Sequence, residues 1–200
     1  MNRNLTEIVF LLDRSGSMSG LESDTIGGFN ALIRKQNQME GETKVTVVLF
    51  DDEYEVVWDG VDAKGLTLTE KEYQVRGCTA LLDAIGKSII EVGRRLSQTN
   101  EAQRPGKVIF AITTDGEENA SQEFTYKKIK EMITHQQEIY SWEFLFLGAN
   151  IDAAQEAKSI GIHAENAFEF RACESGVQDM YVMMEKEIVK RRMEQKEDLM

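Results

Sequence analysis

Proline is almost missing from this 200-residue chain, which has one, alongside 15 glycines. So little proline excludes long linkers and low-complexity tails, leaving one domain with at most a terminal extension. Cysteine is as scarce, with Cys78 and Cys173 the whole set. That is too few for a disulfide framework. The reading is two partly buried thiols in a reducing compartment, with a single Cys78–Cys173 bridge as the alternative. Long apolar runs are also lacking. The run from Ile8 to Leu12 is too short for a signal core and meets Asp13 and Arg14 at once. Nothing approaches the roughly 20 apolar residues of a membrane span. The expectation is a cytoplasmic chain that does not bind membranes. Positive charge is in deficit, 23 Lys plus Arg against 35 Asp plus Glu, for a net charge of -12. A field of that sign repels polyanions, so nucleic acid is not expected as a partner, while cations are drawn in. What is present, 42% hydrophobic residues, suffices for a sizeable core without staples.

The hydrophobic pattern alternates between two periods. Ile8-Val9-Phe10-Leu11-Leu12 is apolar on both faces, as a buried central strand reads. Leu21 to Met39 spaces Leu21, Thr25, Phe29, Leu32, Ile33 and Gln36 at helical intervals. Lys44 to Phe50 predicts a strand, turned by Asp51-Asp52-Glu53 into Tyr54 to Trp58 as an antiparallel edge hairpin. Residues 60–78 read as irregular. Helices are expected over Thr79–Leu96, Phe124–Ile139 and Ile151–Ile160, and strands over Val108–Thr113, Trp142–Leu147 and Ala167–Phe170. This order predicts an α/β fold: a doubly wound, open, mostly parallel, Rossmann-like sheet with one antiparallel edge strand and helices on both faces. The main domain is assigned to residues 1–172. Residues 173–200 form an amphipathic helix and charged tail, its stripe of Val177, Met180, Tyr181, Met184 and Ile188 packed on the same domain. An exposed Met-rich face for a partner helix is the other reading.

Open sheets place their sites beyond the C-terminal ends of the strands. Three segments fall there. Asp13-Arg14-Ser15-Gly16-Ser17 offers a carboxylate and two hydroxyls around a tight turn. Thr79, in Gly77-Cys78-Thr79, either caps the following helix or turns its hydroxyl to the same site. Asp115, in Thr113-Thr114-Asp115-Gly116-Glu117, supplies a second carboxylate. Two carboxylates and three hydroxyls suit a hard cation such as Mg2+, with water or a partner's carboxylate filling the remainder.

In these residues the chain resembles a von Willebrand factor type A (VWA) domain. That family carries a metal-ion-dependent adhesion site of the pattern Asp-x-Ser-x-Ser, a distant Thr and a distant Asp, matched here by Asp13, Ser15, Ser17, Thr79 and Asp115. The Gly-Cys-Thr-Ala-Leu and Thr-Asp-Gly-Glu runs are similar to those of single-domain bacterial members, and the resemblance covers about residues 5 to 170. It implies that Asp13, Ser15 and Ser17 hold the ion directly or through water. Thr79 and Asp115 would exchange direct for water-mediated contact, and a Glu or Asp of a partner protein would complete the coordination. Mg2+ is the implied ion, with Ca2+ or Mn2+ able to replace it. The implied function is protein binding rather than catalysis. The alternatives are a scaffold with a structural metal, binding through other surfaces, and a magnesium-dependent hydrolase. Against the last, Ser15 stands where a phosphotransferase of the haloacid dehalogenase type carries a second Asp, and phosphate- and dinucleotide-binding loops are absent.

The remaining candidates are bland. Asp51, Asp52 and Glu53 read as a turn with solvated charge, and Glu117 and Glu118 as a rim to the site. Arg14 and Met18 read as facing a partner. His135 and His163 read as surface residues, Trp58 and Trp142 as packing, and Asn150 as a turn or rim residue.

Overall fold

The computed structural model describes residues 1–197. Six strands form one sheet: β1 (Asn2–Asp13), β2 (Glu42–Phe50), β3 (Tyr54–Asp62), β4 (Pro105–Thr114), β5 (Glu143–Ala149) and β6 (Ala167–Phe170). Five helices connect and cover them: α1 (Glu22–Gln36), α2 (Leu81–Gln98), α3 (Tyr126–Tyr140), α4 (Ala153–Ser159) and α5 (Glu174–Glu197). The strand order is β3-β2-β1-β4-β5-β6. Among the described residues only the β2–β3 pair is antiparallel. The expected fold class is the observed one.

β1 is central because both of its faces are apolar. Ile8, Phe10 and Leu12 face one layer, where they join Phe29, Leu32 and Ile33 of α1. Val9 and Leu11 face the other, where they join Leu82, Ile85 and Ile89 of α2 and Ile129 and Ile133 of α3. The two-residue period of a strand produces this division. The tryptophans pack as expected. Trp58 stacks on Phe29 at 6.2 Å and Trp142 on Phe110 at 5.3 Å, measured between ring centroids.

α5 lies on the α1 side of the sheet. Its stripe of Val177, Met180, Tyr181, Met184 and Ile188 is buried in the same cluster as Phe29 and Leu32. Each such side chain contributes roughly 1.5–3 kcal/mol of gross burial energy. The stripe is core, and the alternative of an exposed Met-rich face does not hold. The last residues of the charged tail, 198–200, lie outside the described residues. Both cysteines are free and exposed, correcting the expectation of partly buried thiols. Their positions explain it: Cys78 sits in a loop at the sheet's C-terminal edge and Cys173 just before α5. Among the described residues no helix is long and apolar enough to cross a membrane.

α1 and α5 approach closely because α1 carries Gly28 at the contact. A Cβ at that position would lie 2.2 Å from Cδ2 of Tyr181, whereas one at the neighbouring Gly27 would meet nothing within 4 Å. Gly28→Ala is therefore expected to destabilise the fold by about 1–3 kcal/mol through overpacking. Gly27→Ala should stabilise it by about 0.5–1 kcal/mol through helix propensity. Urea unfolding of the two variants should give opposite signs.

Candidate metal centre

Three loops meet where β1 and β4 end and α2 begins. The register sets this: Leu12 pairs with Thr113 and Asp13 with Phe50, so the strands finish side by side. Asp13 is buried and held from three directions. Its Oδ1 accepts the Ser15 amide at 2.7 Å and its Oδ2 the Thr114 hydroxyl at 2.7 Å. Its carbonyl accepts the Tyr73 hydroxyl at 2.6 Å. From there a chain of oxygens crosses the cleft. Ser15 Oγ lies 3.1 Å from Ser17 Oγ, which donates to Asp115 Oδ1 at 2.5 Å. Thr79 completes the group through Gly116, where a Cβ would lie 3.7 Å from both Ser17 Oγ and Thr79 Oγ1. The structure thus gathers Asp13, Ser15, Ser17 and Asp115 by direct contacts and sets Thr79 beside them. Thr79 does not cap α2: the N-cap position is Ala80, without a side-chain cap bond.

The electrostatics favour a cation. Burial pushes the Asp13 carboxyl up to about 6, against the opposing pull of its Ser15 and Thr114 hydrogen bonds. Burial likewise raises Asp115, which the Ser17 hydrogen bond partly offsets. Asp115 Oδ2 is buried with no hydrogen-bond partner among the described residues. An orphaned buried acceptor costs about 1–3 kcal/mol, more when charged. A divalent cation between the two carboxylates would remove that cost, so the donor set fits one. Among the described residues no group of three or more His, Cys, Asp or Glu is placed to hold a metal. A cation here would depend on two carboxylates, hydroxyls and water, as a hard ion can.

In the turn between β2 and β3, Asp52 and Glu53 are exposed as expected, but Asp51 is the hub of the cleft. Asp51 is 0% exposed. Its Oδ2 accepts Arg14 Nε at 2.8 Å and Arg76 Nε at 2.9 Å, and its Oδ1 accepts the Glu53 amide. Its carbonyl accepts the Ala80 amide at 2.9 Å. Asp52 Oδ1 accepts the Cys78 amide at 3.2 Å. Gly77, at φ +69°, leaves no room for a side chain, because a Cβ there would fall 1.8 Å from Asp52 Oδ1. The first and second loops are joined directly as well, by Gly16 N–H to the Gly77 carbonyl at 3.1 Å and Arg76 N–H to the Arg14 carbonyl at 2.8 Å. Arg14 is 2% exposed and Met18 is also buried. Neither faces a partner: Arg14 is drawn inward by Asp51 and Glu55, and Met18 joins the core cluster.

The third loop is fastened to the start of α2. Glu118 accepts the amides of Leu82, Ala120 and Ser121, and Asp83 accepts those of Gln122, Glu123 and Phe124. Asn119 Oδ1 accepts the Thr79 amide at 3.0 Å. Glu118 is thus a loop clamp, while Glu117 stays exposed at the rim. Asn150, at φ +59°, donates from Nδ2 to the Asp115 carbonyl at 3.4 Å. Sequence reading missed Asp51, Thr114 and Tyr73. Thr114 adjoins a motif residue, but Asp51 resembles any turn carboxylate and Tyr73 lies in an irregular stretch.

No protein-family model and no curated protein matches this sequence. Solved structures do. Proximal thread matrix protein 1 from the mussel byssus superposes with a TM-score of 0.65 at 16% identity, over 94% of this chain and 46% of that one. The chain has a von Willebrand factor A fold. The PilB minor pilin from Streptococcus sanguinis shares this VWA-type fold at TM-score 0.61 and 13% identity, over 94% of this chain and 61% of that one. So does VWA2, an ArnB paralog from Sulfolobus acidocaldarius, at TM-score 0.57 and 16% identity, over 91% and 45%. The chain therefore spans about half to three fifths of the proteins it resembles. One structure of the mussel protein is described as having a zinc-occupied MIDAS motif, the metal-ion-dependent adhesion site, at TM-score 0.63 and 16% identity over 90% of this chain and 45% of that one. The expectation of a cytoplasmic chain is overturned by these comparisons, since the VWA folds it matches include a byssus thread protein and a minor pilin. The physical reason is that a short N-terminal apolar run and two unpaired cysteines do not fix a compartment.

Two outcomes follow. Asp51→Asn should cost about 2–3 kcal/mol, because it leaves the buried Arg14 with only the half-exposed Glu55 as counter-charge; a urea-unfolding loss below about 1 kcal/mol would contradict the hub role. Without divalent ions, the raised Asp13 carboxyl contributes stability that is complete below its ordinary value of 3.8 and lost as pH rises through about 6. The Asp13→Asn variant should therefore gain about 2–3 kcal/mol on the parent between pH 4 and pH 7. Matched denaturation curves in chelator check this.

Proposed function

We propose that this chain is a metal-dependent protein-binding module. A divalent cation, Mg2+ by preference with Ca2+ or Mn2+ as substitutes, is held by Asp13, Ser15, Ser17, Thr79 and Asp115 and completed by an Asp or Glu of a partner protein. The observation that carries this reading is the orphaned Asp115 Oδ2, buried beside the Ser15–Ser17 hydroxyl chain. The two carboxylates only balance the charge of a divalent ion, and with three hydroxyls they fill fewer than the six or more oxygen positions such an ion takes, which leaves room for a carboxylate from outside. The zinc-occupied motif described for the mussel protein, of the same fold, supports the choice of site. The thread and pilin contexts of the similar structures favour binding over catalysis.

Magnesium at about 100 times its Kd should stabilise the parent by about 2.7 kcal/mol. For a domain of this size that is about 5–10 °C in Tm. Asp13→Ala should show no such shift. Affinity capture of partners with and without Mg2+, followed by elution with chelator, tests the binding role: a partner that stays bound to Asp13→Ala in full chelator would sink it.

A further inference from the structure

We propose a second binding site at the opposite end of the sheet: a groove between α2 and α3 that takes a small amphiphile with an apolar chain and an anionic head. It lies beside the start of β4, whereas the metal centre lies past its end. The ten residues Pro105–Thr114 separate the two by about 30 Å at roughly 3.3 Å per residue. The cavity holds about 580 Å³. That is within the range of small-molecule sites, which combine an apolar lining with a few placed polar groups.

Its floor is apolar and rigid. Ile89, Val108 and Trp142 line it and are themselves core residues, and Trp142 is fixed by its stack on Phe110. Its walls expose apolar surface that a folded chain ordinarily hides: Ile90 is 50% exposed and Tyr140 60%. The rim carries Arg94, Arg104 and Lys128 against a single carboxylate, Glu131. A local positive excess in a chain of net charge -12 supplies the complementarity for an anion. Among the described residues, Arg94 and Lys128 make no ion pair. Arg104 spends its donors on the carbonyls of Thr99 at 2.9 Å and Ser97 at 3.0 Å, which hold its guanidinium at the rim without neutralising it. The apolar chain would lie along Ile89, Val108 and Trp142, and the head would meet the cations.

Gly93 gives a means to close the groove. A Cβ there would stand 3.9 Å from Trp142 Cη2, an ordinary contact, so a longer side chain occupies the groove rather than the core. The test is calorimetric titration with decanoate below its micelle concentration, beside decyltrimethylammonium as the cation of matched chain. Decanoate should bind with Kd on the order of 0.1–1 mM. Gly93→Leu should abolish binding while its Tm stays at or above the parent's. Arg94→Glu with Lys128→Glu should weaken decanoate at least tenfold. Chelator and Asp13→Ala should leave the affinity unchanged, which separates this site from the metal centre. The proposal is overturned by no decanoate binding, by equal affinity for the cationic amphiphile, or by full binding to Gly93→Leu. Capture of an acidic helical peptide in the groove, with no response to decanoate, would also overturn it in favour of protein docking.

Discussion

The parallel pairing of β1 between β2 and β4 is the constraint from which the rest follows. β1 is buried on both faces, so it must be central, and its neighbours must run alongside in a register that finishes at one level. That common finish brings Asp13 against Thr114 and Arg14 against Asp51. Each parallel crossover also returns through a helix, so the loops beyond the strand ends gather on one edge of the sheet. The candidate metal centre is what that convergence gathers: oxygen atoms from three loops, with too little positive charge among them to satisfy both carboxylates.

Polar groups in that cleft are held in tension between two demands. Asp51 is compensated twice over, by Arg14 and Arg76, and acts as structure. Among the described residues Asp13 and Asp115 are met by no basic side chain, only by hydroxyls and amides, and burial lifts both carboxyls. The contrast distinguishes a carboxylate neutralised by arginine from two that no arginine pairs with among the described residues. A fold that withholds arginine from two of three neighbouring buried carboxylates carries a cost in stability that the proposed ion would offset. At the other end of the sheet the charge balance is reversed, with cations left around an apolar groove. The two ends thus differ in charge and in polarity.

The architecture was legible because it depends on local pattern. The doubly apolar run Ile8–Leu12, the helical spacing of Leu81, Leu82, Ile85 and Ile89, and the alternation of periods define the elements and their order. The five candidate residues also stand out in the sequence, Asp13, Ser15, Ser17 and Asp115 at or just beyond the ends of β1 and β4 and Thr79 just before α2. Pairing across the cleft was not legible. Asp51 looked like a solvated turn residue, since nothing local distinguishes it from Asp52. Arg14 and Met18 looked exposed for the same reason. Thr79 looked able to cap α2, and only the placement of Ala80 at the cap position settled that it does not.

The sequence by itself determined the sheet, its central strand, the helices on both faces and the residue types of the candidate site, because periodicity and residue chemistry are local properties. Tertiary structure alone decided which side chains meet: that Arg14 turns inward to Asp51, that Asp115 keeps one oxygen unpaired, and that α2 and α3 leave a groove with a cationic rim. Those outcomes depend on distances between residues far apart in the chain, and no local pattern encodes such distances.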